Sequence, residues 1–186
     1  LLGFLVNGLA GKRLPRPVVS LIACGLPALS FLLTLGALRA LTATGQPLAE
    51  TLFTWAATVG FQVDAAFYFD QVTAVMCLVV TGIGTLIHVY SIGYMRGNDE
   101  RHQTRFYVCF ALAIAGAIGV ALAGNLLTLY LFYEVLTFVT YPLVTHHGDE
   151  AARRGGRTYL ALLLLSSMLF LLPAMAWAAT RGGEAR

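Results

Sequence analysis

Of the nine acidic residues in this 186-residue sequence, one, Glu134, lies deep inside an apolar stretch. That stretch runs from Leu126 to Thr145, with about eight residues before the carboxyl and about eleven after it, so at about 1.5 Å per residue the group stands ~12–16 Å from either helix end. This is close to the centre of a bilayer. Inserting a charge there costs roughly 2.5–3.5 kcal/mol on scales measured for Asp, Lys and Arg, so such residues face protein or water and commonly mark ion pathways. Burial holds a carboxyl neutral and a nearby cation draws it back to its charged form. A group balanced between the two can take up and release a proton.

Its helical neighbours fit that chemistry. At about 100° per residue, Tyr130, Glu134, Thr137 and Tyr141 fall within a sector of about 60° on one side of the helix. The hydroxyls could hold water beside the carboxyl. Pro142 lacks an N–H, which frees the carbonyl of Phe138 and is expected to kink the helix. The alternative is a neutral Glu134 that hydrogen-bonds another helix as packing.

A second candidate is His88, near the end of its apolar run and followed by Tyr90 and Ser91. An imidazole titrates near neutrality and could relay protons; the same residue could equally be an interface residue at a helix end. His102, His146 and His147 fall in or beside loops and are expected to be solvated. A bis-His haem would need a second deep histidine on a facing helix, and the sequence offers none. Cys24, Cys77 and Cys109 are widely spaced within apolar runs and read as packing residues, not as a disulfide or metal framework. No cofactor or metal is expected. Asp70 reads as a helix N-cap, and Arg39 as a residue that snorkels from an outer helix end.

The elements that must position these groups follow from hydropathy. The chain is 58% hydrophobic and 11% charged, with mean hydropathy +0.76, against about 45–50% apolar and about 25% charged in soluble proteins. Charge this sparse cannot cover a water-soluble surface, which excludes a soluble enzyme, a nucleic-acid-binding module and a disordered tail. Long apolar stretches run over Val18 to Thr42, Phe69 to Met95, Phe106 to Ala123, Leu126 to Thr145 and Thr158 to Thr180. In front stands an apolar stub, Leu1 to Ala10, followed by Lys12 and Arg13; a signal peptide would carry its charge before the apolar core. The stub is expected to be half of a span whose beginning is missing. The fold class is thus all-α, a polytopic membrane helix bundle of about six transmembrane helices. Ala111, Ala115, Gly119 and Ala123 form a small-residue ridge that lets another helix approach closely.

Loop charge tests this threading. If each segment crosses once, one set of loops holds Lys12, Arg13, Arg16, Arg96, Arg101, Arg105, Arg153, Arg154 and Arg157, and the other holds Arg39, Arg181 and Arg186. Nine against three obeys the positive-inside rule and places the N-terminus outside. Five spans with a peripheral N-terminal segment is the alternative. The connection from Gly45 to Tyr68 mixes Pro47, Glu50 and Asp64 with apolar residues, and alternates near Gly60 to Ala65. It is either a short extracytoplasmic β-hairpin or an interfacial loop anchored by Trp55.

A proton-transferring acid needs a partner that switches its affinity, commonly a lysine or arginine on a neighbouring helix. The one lysine here, Lys12, is in a loop. The base is expected from residues beyond Arg186 or from another subunit.

The run Ile87-His88-Val89-Tyr90-Ser91-Ile92-Gly93-Tyr94-Met95, then Gly124-Asn125-Leu126-Leu127, then Phe132-Tyr133-Glu134-Val135-Leu136-Thr137, resembles the antiporter-like proton-pumping subunits of respiratory complex I and of Mrp-type monovalent cation/proton antiporters. Gly3-Phe4-Leu5-Val6-Asn7-Gly8 and Phe69-Asp70-Gln71-Val72-Thr73 fit the same family's N-terminal region. Within it, Tyr141-Pro142-Leu143-Val144-Thr145-His146 and Arg153-Arg154-Gly155-Gly156-Arg157-Thr158-Tyr159 look most like the D-type member of the Mrp-type branch. The resemblance implies a longer protein of some fourteen helices built on two inverted repeats of about five, each with a broken helix. It also implies that Glu134 is the family's glutamate on the fifth helix and His88 its histidine on the third. Complex I relatives often carry an acid in the sixth helix, whereas Leu160 to Trp177 contains none, which favours the antiporter branch.

The expected function is proton translocation as a subunit of a monovalent cation/proton antiporter or of an NADH:quinone oxidoreductase-type complex, in a bacterial inner membrane. Residues 1–68 would form an N-terminal two-helix region, 69–105 a third helix and inner loop, and 106–186 the first half of the translocation bundle. Expected partners are other membrane subunits, a lysine-bearing remainder of the same chain, protons and, in the antiporter branch, sodium; nucleic acid is not among them. The competing expectation is a non-conducting truncated scaffold that packs partner subunits.

Overall fold

A computed structural model describes residues 1–11, 13–58, 61–98, 100 and 102–182, with the side chains of 55–63 and 179–182 left aside. Its elements are α1 (Leu2–Ala10), α2 (Arg16–Thr44), strands β1 (Leu48–Thr58) and β2 (Phe61–Phe69), α3 (Gln71–Gly97), α4 (Gln103–Leu122), α5 (Leu126–Val144), α6 (Glu150–Ser166) and α7 (Leu172–Gly182). A π-helical turn, Ser167–Leu171, joins α6 to α7, and Glu150–Ala178 is long and apolar enough to cross a membrane as one helix. So are α2, α3, α4 and α5. The protein is a membrane helix bundle.

The helix ends follow local chemistry. Pro15 precedes α2 and Gly45 ends it at φ 68, a left-handed C-cap that glycine adopts without a Cβ penalty. Asp70, Asn125 and Asp149 each accept a backbone N–H three residues on, capping α3, α5 and α6. The cap expected at Asp70 is present.

Between α2 and α3 the chain forms the β-hairpin, with Leu48 opposite Phe69 and Thr58 opposite Phe61, and irregular register between Thr51 and Phe53 and between Thr54 and Ala56. The interfacial-loop alternative is set aside; its anchor, the Trp55 side chain, and Gly60, where the alternation starts, lie outside the described set. The hairpin is held at its root. Gly124 N–H donates to Ala66 O at 2.8 Å, the Asn125 amide donates to Asp64 O, and Phe67 packs on Phe132 with centroids 6.0 Å apart. Hairpin and α4–α5 connection therefore share one end of the bundle.

The other end gathers the basic connections. Gly11, after α1, lies beside Thr104 at the start of α4, and Arg105 donates to His146 O at 3.3 Å across to the α5–α6 connection. Arg13, Arg16, Arg96, Arg105, Arg153, Arg154 and Arg157 belong to this end; Lys12 and Arg101 are outside the described residues. The connections alternate between the two ends of the bundle, in the order the charge pattern implied. The stub α1 runs beside α4 from the basic end, and Gly3 reaches Ala111, midway along α4, as a nine-residue helix of about 13.5 Å should.

The small residues of α4 work on two sides. Ala111 receives α1, while a Cβ on Gly119 would overlap the Phe132 ring and one on Gly116 would lie 3.4 Å from Leu136 Cβ. Close contact with α5 thus uses Gly116 together with Gly119, and only the latter lies on the expected ridge. Without a hydrophobic force between helices in lipid, such close packing is the main source of association.

Candidate functional site

Glu134 is placed by α5, which starts at the Asn125 cap and is seated on α4 through the Gly119–Phe132 and Gly116–Leu136 contacts. On the other side α6 approaches through Gly156, where an added Cβ would strike Thr145 and Tyr141, and Tyr159 Oη donates to Thr140 Oγ1 at 3.1 Å. The carboxyl sits half-buried in this three-helix layer. Its Oε1 is buried and has no hydrogen-bond partner among the described residues. The Tyr130 hydroxyl, one turn earlier, is close enough to interact with it.

Thr137 is 3% exposed, and Tyr141 lines a half-open cleft of about 600 Å³ at the basic end of the bundle. The predicted stripe therefore has a half-buried acid in mid-span and a tyrosine on the wall of a polar cleft. Pro142 does not break α5, which continues to Val144.

His88 is fully buried between α3 and α4. Its Nδ1 lies 2.8 Å from Gly84 O; since a carbonyl only accepts, Nδ1 carries the hydrogen, and in the neutral ring Nε2 is left as the acceptor. Nε2 is buried with no partner among the described residues. The ring is stacked on Phe110, with Tyr107 beyond. An interface position at a helix end does not describe it, for it is enclosed on every side. Nor does it meet Glu134: α4 contributes His88's stacking partners on one face and α5's packing glycines on another, and no hydrogen bond, ion pair or ring contact joins the two among the described residues.

The three loop histidines divide. His147 is exposed and 4.0 Å from Glu100, as expected of a solvated residue. His146 corrects the expectation: its ring meets Phe106 edge to face, centroids 5.7 Å apart, and both ring nitrogens are buried without partners. Burial and then the Arg105 guanidinium push its basicity below the ordinary value. Hydrophilic composition of the loop gave no sign of this, because the residue that shields the ring comes from α4.

Asn7 was also missed as a structural polar group. It is 1% exposed and its amide donates to Val19 O at 3.3 Å, fixing α1 to α2. The available signal was one amide in an otherwise apolar ten-residue stub.

Residues 55–107 match the family model described as NADH-ubiquinone oxidoreductase (complex I), chain 5 N-terminus. The chain is 32% identical over 179 residues to NADH-quinone oxidoreductase subunit L of Escherichia coli K12, covering 92% of this chain and 29% of that protein. It is 33% identical over 132 residues to the Na(+)/H(+) antiporter subunit A1 of Staphylococcus haemolyticus, covering 70% of this chain and 16% of that one. The two relatives carry L and A designations and the family model that of chain 5. A chain of the membrane-bound sulfane sulfur reductase, an archaeal respiratory membrane complex, shares the fold with TM-score 0.78 at 16% identity, over 97% of this chain and 36% of that one. The chain spans less than a third of the length of these curated relatives.

Proposed function

Since this chain is related to the antiporter-like membrane subunits of complex I and of Na(+)/H(+) antiporters, we propose that it serves proton translocation as part of a multi-subunit membrane complex, with Glu134 as the proton-carrying group. The observation that supports this most is the buried Oε1 of Glu134, without a partner among the described residues, in the middle of a span. An orphaned carboxyl oxygen in low dielectric is costly unless water or a proton serves it. Tyr130 steadies the carboxyl on one side, and Thr137 and Tyr141 mark the way to the cleft at the basic end. By the positive-inside rule that end faces the cytoplasm, with the N-terminus outside a bacterial inner membrane.

His88 enters the same reading as a second proton-binding atom, its Nε2 held ready by the Gly84 bond. The base that modulates Glu134 is a lysine or arginine from the remainder of the protein or a neighbouring subunit, because no described cation reaches the carboxyl. In this scheme residues 1–68 and 69–105 anchor the bundle and 106–186 form the first part of the path. Sodium coupling belongs to the antiporter branch and is read by cation-dependent dissipation of ΔpH in vesicles.

The test is Glu134→Gln in the full-length protein, reconstituted with its complex. The amide keeps shape and hydrogen bonding and cannot ionise, so proton flux should vanish while assembly persists. Unchanged flux would leave only the scaffold reading.

A further inference from the structure

The cleft at the basic end is lined by Arg105 of α4, Arg153 of α6, His102 before α4, and His146 and His147 after α5, with Glu100 as the one acid among the described lining residues. The described acids around it are already engaged. Glu100 faces His147, Glu150 pairs with Arg154, and Asp149 caps α6 through Ala152 N–H at 2.6 Å. Neither Arg105 nor Arg153 has an ion-pair partner among the described residues, and Arg105 spends one donor on His146 O. His146 adds two buried ring nitrogens without partners, of which the neutral ring offers one as a donor.

A further donor set comes from backbone. His102 takes a left-handed conformation, φ 58, to turn the chain into α4, and no side chain caps the first N–H groups of that helix. The positive end of α4 therefore adds to the guanidiniums. No three described His, Cys, Asp or Glu side chains are grouped to hold a metal, and two unpaired arginines would repel one. The donor set fits an anion with several acceptor oxygens.

We infer that this cleft binds a phosphate-bearing anion between Arg105 and Arg153, at the depth where the α3–α4 and α5–α6 connections leave the membrane. Two sources share that chemistry: the headgroup of an anionic phospholipid of the inner leaflet and a soluble phosphate. The inference does not depend on Glu134 carrying protons.

The full-length protein, delipidated in detergent, is titrated separately with phosphatidylglycerol, phosphatidylcholine and inorganic phosphate, and bound mass is read by native mass spectrometry alongside the unfolding temperature. Phosphatidylglycerol or inorganic phosphate should bind more tightly than phosphatidylcholine. Arg105→Gln and Arg153→Gln should each weaken that binding about tenfold, and Arg39→Gln, at the opposite end, should not. Binding of phosphatidylglycerol without inorganic phosphate identifies a lipid headgroup, and protection by inorganic phosphate alone identifies a soluble ligand. Glu100→Gln removes a competing charge and should tighten binding severalfold, a readout that survives if the arginine variants fail to fold. No binding, no preference over phosphatidylcholine, equal binding by the arginine variants, or weaker binding in Glu100→Gln would overturn the inference.

Discussion

The imidazole of His88 lies flat on the ring of Phe110, with 4.3 Å between centroids and 6° between planes. With Nδ1 committed to Gly84 O, the ring cannot turn without losing both the stack and the bond. The α3–α4 contact thereby holds one basic nitrogen in a fixed direction within an apolar layer, on the far side of α4 from the α5 packing surface.

His88→Phe should preserve the stack while removing that nitrogen. The variant is expected to assemble, with an unfolding temperature near wild type, and to lose about tenfold or more in proton flux. Wild-type flux in an assembled His88→Phe complex would assign His88 to packing alone.

Gly119 and Gly93 should respond oppositely to alanine or larger residues. A side chain at Gly119 overlaps the Phe132 ring, so Gly119→Val should cost about 1–3 kcal/mol and shift Glu134 with the rest of α5. At Gly93 no atom lies within 4 Å of an added Cβ, and Gly93→Ala should be stabilising by about 0.4–1 kcal/mol. Thermal unfolding in one detergent checks both.

The Asp70 cap carries a pH signature. Thr73 N–H donates to Asp70 Oδ1 at 2.8 Å and, with smaller contributions, holds the carboxyl below its ordinary value of 3.8. The fold thus favours the ionised form: its stabilisation is complete above that ordinary value and is lost as pH falls through the lower folded one. Asp70→Ala should lower the unfolding temperature by a few degrees at neutral pH, with the difference from wild type closing in acid. A difference independent of pH would count against the cap.

His146 should be hard to protonate. Its folded affinity lies below the ordinary value of 6.5 through burial and the nearby Arg105. Its contribution to stability is full above 6.5 and declines as pH falls toward the folded value, where the unfolded chain has already bound the proton. In the absence of added anions, diethylpyrocarbonate should modify His147 well before His146, as read by peptide mass spectrometry. Equal rates would place His146 in water.

Much of the architecture was legible along the chain. Apolar runs at membrane length located four of the five spans within about three residues, since lipid demands a continuous apolar helix; the last helix begins at Glu150, before the expected Thr158. The alternation before Tyr68 belonged to a strand, and the stripe of Tyr130, Glu134, Thr137 and Tyr141 follows from helical geometry alone. Each of these is a property of one element, readable without knowing its neighbours.

Contacts between elements were another matter. Nothing in the local pattern says that Gly116 joins Gly119 in receiving α5, that α4 stands between His88 and Glu134, or that Phe106 shelters a histidine from the α5–α6 connection. Those facts depend on which small residues of one helix meet which large residues of another, and in lipid that choice is made by shape. Hydropathy and spacing determined that an acid sits midway along an apolar helix on a polar stripe; only tertiary packing decided that its Oε1 is left without a partner among the described residues and that the stripe's last tyrosine borders a cationic cleft.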